Sequence, residues 1–196
     1  MADVIESTLF VLAVVFFVIV LPFMWLRRRR RATQTKERDV QPERFEDLRA
    51  KYFALTRAEL FCPVPANPTE PWGVIMEIGY EAATVTTVSF SEGTSRVLRS
   101  TGGGFFSAGP IESVRIAGDA FLKQAQQLQP LTAPTSVFPG PSIGHVVFYF
   151  RTDKGIFSAS APENELSEGH HGLSPLYHAG LRILHDFLQL QKQQQK

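Results

Sequence analysis

Ser100-Thr101-Gly102-Gly103-Gly104, followed by Phe105-Phe106 and then by Gly109-Pro110, is the stretch whose residue types come nearest to chemistry. A strand that runs into a glycine-rich loop and reopens as a helix presents free backbone N–H groups and the positive end of a helix dipole, which suits an anion. Gly102, Gly103, Gly104 and Gly109 would line such a site, and Arg99 and Arg115 would add charge. The pattern departs from the familiar phosphate loops. A Walker-type loop places a Lys-Ser/Thr pair after its last glycine, whereas Pro110-Ile111 follows here. A dinucleotide loop needs a parallel βαβ unit, and the flanking segments read as hairpins. The same glycines also suit a sharp crossover or bulge that requires positive φ. Phe105 and Phe106 are a contact point for a partner or a lipid surface if exposed, and core if buried.

Other reactive residue types lack partners at useful spacing. His170 and His171 are adjacent, and His178 and His185 lie seven apart on one helix, so the spacing of a zinc site is absent and no metal is expected. Cys62 is the only cysteine, which excludes an internal disulfide; with Pro63 and Pro65 after it, it reads as a buried thiol. No G-x-S-x-G elbow occurs, and Glu163, Glu165 and Glu168 lack calcium-loop spacing. No catalytic residue is assigned, no cofactor is expected, and the chain reads as non-enzymatic.

The elements that must position these residues begin with an anchor. Residues 8–26 are nineteen in a row without a charge, the length an α-helix needs to cross a bilayer core of about 30 Å. Arg27, Arg28, Arg29, Arg30 and Arg31 follow directly, and Trp25 falls where aromatic rings favour the interface. The N-terminal flank carries only Asp3 and Glu6, so the positive-inside rule predicts a single pass, N-terminus outside and the remainder cytoplasmic at an inner membrane. A cleaved signal would have its positive charges first and small residues at the cut, where Phe23, Met24 and Trp25 stand. Residues 27–51 hold ten basic and five acidic side chains, whereas residues 52–196 hold ten and twelve. The basic charge therefore belongs to the lipid headgroups, and no nucleic-acid partner is expected.

Residues 32–71 read as a linker, with a juxtamembrane helix over 43–61 (apolar at Phe45, Leu48, Tyr52, Leu55 and Leu60) and a proline-rich spacer from Cys62. From Trp72 the apolar period changes to two. Strands are predicted at 74–80, 84–90, 96–100, 145–152 and 156–161, with turns at Ser91-Glu92-Gly93-Thr94 and Asp153-Lys154-Gly155. Helices are predicted at 110–129, with Val114, Ala117, Phe121, Ala125 and Leu128 on one stripe, and at 175–191, ahead of a polar tail. The expectation is an α+β domain over 72–190: a five-stranded, mostly antiparallel sheet flanked by helices, profilin-like or roadblock-like in layout.

The stretch from Thr84 to Gly109, TVTTVSFSEGTSRVLRSTGGGFFSAG, together with LSPLYHAGLRIL from Leu173, resembles an uncharacterised bacterial family with no assigned function. The resemblance spans roughly residues 72–188. It implies no activity, ligand or catalytic residue and supports only the extent of the domain.

Two functions follow as expectations. One is a membrane-anchored cytoplasmic interaction domain, an accessory or structural subunit of an inner-membrane complex, whose partners are the bilayer and other membrane-protein subunits. The other is a membrane-tethered small-molecule or anion sensor that uses the loop at 101–109.

Overall fold

The computed structural model describes residues 45–102, 104–106 and 111–194. The predicted span at 8–26, Trp25 and Arg27 to Arg31 lie outside the described residues. Among the described residues no helix is long and apolar enough to cross a membrane.

Seven strands form one sheet: β1 (Gly73–Gly79), β2 (Thr84–Phe90), β3 (Ser95–Arg99), β4 (Gly104–Phe106), β5 (Ala133–Thr135), β6 (His145–Thr152) and β7 (Gly155–Pro162). Their order is β4-β3-β2-β1-β6-β7-β5, and every pairing is antiparallel. The five expected strands are present, and two three-residue strands extend the sheet at its edges. The predicted loop 102–104 therefore leads into β4 instead of running straight to a helix. The predicted connection 130–141 contains β5, whose Pro134 is tolerable because an edge strand needs bonds on one side only. Strands of three residues are too short to show alternation, which is why the pattern in the sequence missed both.

β1 lies at the centre and is buried along its whole length. Val74, Met76 and Ile78 belong to a core shared with two helices, α2 (Glu112–Leu128) and α4 (Ser174–Gln194). Val114, Ala117, Phe121 and Ala125 of α2 and Leu176, Ile183 and Phe187 of α4 complete that core. Each large apolar side chain buried there contributes about 1.5–3 kcal/mol. Two helical glycines allow the close approach. A Cβ on Gly180 would stand 2.6 Å from Met76 Cε, and one on Gly118 would stand 2.4 Å from Ser95 Oγ.

The opposite face of the sheet has its own core of Trp72, Ile75, Val88, Phe90, Leu98 and Tyr149, joined by Tyr52 and Cys62. Its cover comes from the segment expected to be linker. Helix α1 (Phe45–Ala54) lies there, with Phe45, Leu48, Phe53 and Leu55 packed against the same cluster. The apolar stripe read from the sequence thus has a sheet face to cover. The helix is shorter than the predicted 43–61 because Thr56 and Glu59 form a capping box. Glu59 Oε2 accepts from the Thr56 N–H and hydroxyl, both at 2.7 Å, and the Glu59 N–H returns to Thr56 Oγ1. That exchange starts a new turn and so ends the helix before it. A short helix, α3 (Glu163–Ser167), links β7 to α4.

Candidate functional site

The residues of the glycine loop do not converge. Gly102 sits at φ +91° in an exposed turn and returns its N–H to the Arg99 carbonyl at 3.0 Å. That left-handed conformation is the one glycine adopts without steric cost. Gly104, Phe105 and Phe106 form β4, in register with Leu98, Val97 and Arg96. Gly103 and Gly109 lie outside the described residues. Arg99 ends β3 next to this turn. Arg115 lies at the other end of the strand, where a Cβ on Gly93 would meet its Cγ at 3.8 Å. A five-residue strand separates the two by roughly 15 Å. Arg115 is also engaged on its own helix, by Glu112 at 2.7 Å and Asp119 at 2.7 Å. The Glu112 hydrogen bonds raise its pKa. The loop is thus a hairpin turn into an edge strand rather than a crossover, with one of its two arginines nearby.

Ionisable groups do converge on the second sheet face, around Glu77. This carboxylate is fully buried in the middle of β1. Arg49 of α1 reaches it with Nε to Oε1 at 2.7 Å and Nη2 to Oε2 at 2.8 Å, and the Thr86 hydroxyl donates to Oε1 at 3.2 Å. Arg49 Nη2 also donates to the Phe138 carbonyl at 2.8 Å, and the Tyr149 hydroxyl donates to the Pro139 carbonyl at 2.6 Å. Burial pushes Tyr149 up to about 12, with the Glu77 charge adding to it. One buried pair therefore ties α1, the centre of the sheet and the 138–139 segment together. Both carboxylate oxygens are occupied, so Glu77 acts as a lock rather than a base. A signal for it existed: Glu77 is the one charge inside the apolar run 74–80.

Arg151 of β6 closes the other end of α1. Its guanidinium donates to the carbonyls of Tyr52 and Leu55 and lies 4.9 Å from the Trp72 ring centre. Carbonyls at a helix C-terminus lack intrahelical donors, so a cation there satisfies them and complements the dipole. A third cluster joins β1 to the last two helices. Tyr80 and Tyr177 both donate to Glu163 Oε1, at 3.1 and 2.9 Å. Burial, reinforced by that carboxylate, raises both phenols, Tyr80 to about 12.

The remaining candidates are structural in their surroundings. Cys62 is buried, and its Sγ donates to Glu92 Oε2 at 3.5 Å; burial pushes the thiol pKa up, the opposite of what a nucleophile needs. His170 lies on the surface 3.2 Å from Glu168, and His171 Nδ1 accepts the Leu173 N–H. Among the described residues no group of three His, Cys, Asp or Glu side chains could hold a metal.

What stands out on the surface is apolar. Phe61 is 88% exposed and sits at φ +55°, a left-handed backbone in a residue with a bulky side chain. Val64, Val137 and Ile143 are exposed as well. Sequence reasoning ran a helix through Phe61 and so missed it. No family model, no curated protein and no solved structure matches the chain.

Proposed function

We propose that this chain is a single-pass membrane protein whose cytoplasmic α+β domain is a protein–protein interaction module, an accessory or structural subunit of an inner-membrane complex. The observation that carries the interaction reading is Phe61. A left-handed backbone costs about 1–2 kcal/mol for a non-glycine residue, and here it presents an aromatic ring to solvent with Val64 exposed three residues on. Aromatic side chains in such positions are favoured anchors at interfaces. The flanking residues support a fixed presentation: Cys62 is buried, and Arg57 pairs with Asp153 at 3.0 Å. The anchor reading rests on the uncharged run 8–26 and its arginine collar. With an anchor, a modest interface suffices, because the membrane raises the effective concentration of its partners. We read the helix-flanked sheet as the profilin-like or roadblock-like layout expected from element order, which carries no function by itself.

Purification of the full chain from membranes in mild detergent is the test. The expected result is a stoichiometric companion whose capture is lost in Phe61→Ser at unchanged thermal stability. A lone monomer overturns the reading. A reporter fused after Lys196 that is reached from outside the cell overturns the compartment.

A further inference from the structure

A strained hinge joins α1 to the sheet that it covers. Residues 57–62 close as a helix C-terminus does: the Cys62 N–H donates to the Arg57 carbonyl and the Phe61 N–H to the Ala58 carbonyl, both at 3.1 Å. That pair of bonds is the Schellman arrangement, whose left-handed position belongs by preference to glycine. Phe61 fills it at φ +55°, the one non-glycine residue at positive φ among the described residues. Its ring is exposed, so packing of the ring does not offset the strain.

Everything that α1 brings to the second sheet face lies on the N-terminal side of that hinge. Arg49 pairs with Glu77 and Arg57 with Asp153. From the sheet side, Arg96 donates to the Tyr52 hydroxyl and Arg151 to the carbonyls of Tyr52 and Leu55. Phe45, Leu48, Phe53, Leu55 and Leu60 supply the apolar contacts. We propose that two copies of this chain exchange α1 by opening at Phe61, so that each helix covers the second sheet face of the other copy.

The closed single copy and the exchanged pair share every contact between residues 45–60 and the sheet. What differs is the hinge and the association of two copies, and a strained hinge favours exchange. Opening lets Phe61 take an extended backbone; against it stand the two hydrogen bonds that cross the hinge. An open single copy does not accumulate, because it bares Trp72, Ile75, Val88, Phe90 and Leu98 to water. The contacts also select the occupant. A foreign helix would need an arginine in register with Glu77, a phenol for Arg96 and free C-terminal carbonyls for Arg151, and α1 of a second copy carries all three. The inference rests on the membrane-anchor reading for one point only: two copies held in one membrane meet at raised effective concentration.

The experiment expresses two full-length copies with different tags in one membrane, solubilises them in mild detergent and captures through one tag. The wild type is expected to retain the second tag, at the mass of a dimer by light scattering. Arg49→Glu on one copy and Glu77→Arg on the other are expected to pair with each other at least tenfold more tightly than either pairs with itself, about 1.4 kcal/mol, because the reversed charges match only across exchanged helices. Two variants of Phe61 decide the question without a reversed buried charge. Phe61→Gly relieves the closed hinge and is expected to weaken the dimer at least tenfold. Phe61→Pro, with φ fixed at about −65°, forbids the closed hinge and is expected to strengthen it by a similar factor. Loss of the dimer in both Phe61 variants identifies a contact through the ring and overturns the proposal. Absence of the second tag from the wild type overturns it too, as does equal pairing of matched and unmatched charge variants. A companion that is a different chain co-purifies or not regardless of these results, so failure of the interaction reading is told apart by the identity of the captured chain.

Discussion

Arg49 meets Glu77 fork to fork, with hydrogen bonds of 2.7 and 2.8 Å, across a sheet face where the carboxylate has no exposure and the guanidinium side chain has 15%. Removing one partner of a buried pair leaves the other charge without compensation, which costs about 3–5 kcal/mol. Glu77→Ala is expected to lose stability in that range in denaturant unfolding. Replacing both residues by leucine is expected to recover most of it, since apolar packing often equals a buried pair. A Glu77→Ala loss below 1 kcal/mol would remove the pair from its place as the lock on α1.

The close helix–sheet contact makes a second prediction. A methyl group at Gly180 would stand 2.6 Å from Met76 Cε, the far end of a flexible side chain; at Gly118 it would stand 2.4 Å from Ser95 Oγ, which is hydrogen-bonded to Ser89 at 2.8 Å. At Gly180 the Met76 thioether has to swing aside, with Phe121 Cε2 also at 3.1 Å, whereas at Gly118 the hydrogen-bonded serine pair has to break. Gly118→Ala is therefore expected to cost more than Gly180→Ala, within the 1–3 kcal/mol typical of overpacking. The two midpoints in urea, measured side by side, check the order.

Alkaline stability depends on tyrosine. Tyr149 is raised from 10 to about 12 by burial, so between those values the folded chain keeps a proton that the unfolded chain releases. The stability this contributes is fully present below about pH 10 and is lost as pH rises through about 12. Tyr80 and Tyr177 act in the same direction. Tyr149→Phe is expected to flatten the fall in stability above pH 10, followed by circular dichroism, and to cost about 1 kcal/mol at neutral pH through the lost hydrogen bond to Pro139. An unchanged alkaline slope in Tyr149→Phe counts against burial as the cause.

At Phe61, stability and interaction are expected to separate. Glycine adopts φ +55° without the Cβ penalty, and Phe61 makes few contacts to lose. Phe61→Gly is expected to stabilise the isolated protein by up to about 1 kcal/mol and, on the proposed interaction reading, to lose the companion expected to co-purify with the wild type. Calorimetry and co-purification on one preparation decide it. Lower stability in Phe61→Gly would mean that the ring is held by the fold rather than offered to a partner.

The β1–β2–β3 meander, the β6–β7 hairpin and helices α2 and α4 were readable because each is long enough to show its period and is bounded by its own turn residues. The short strands β4 and β5 were not, since three residues carry no period. The end of α1 was missed for another reason: Thr56-Arg57-Ala58-Glu59 is a capping signature, but it lies inside a stretch whose apolar spacing continues to Leu60. Two local signals competed there, and the side-chain hydrogen bonds to the backbone won.

Local pattern by itself determined the α+β class, the uncharged run with its arginine collar, and the faces that α2 and α4 bury, because periodicity and net charge are properties of neighbours in the chain. Only the tertiary structure decided that α1 covers the second sheet face, that Glu77 closes on Arg49 twenty-eight positions away, and that Arg99 and Arg115 stand at opposite ends of a strand. Those outcomes depend on which distant surfaces meet, and no window along the chain contains both partners.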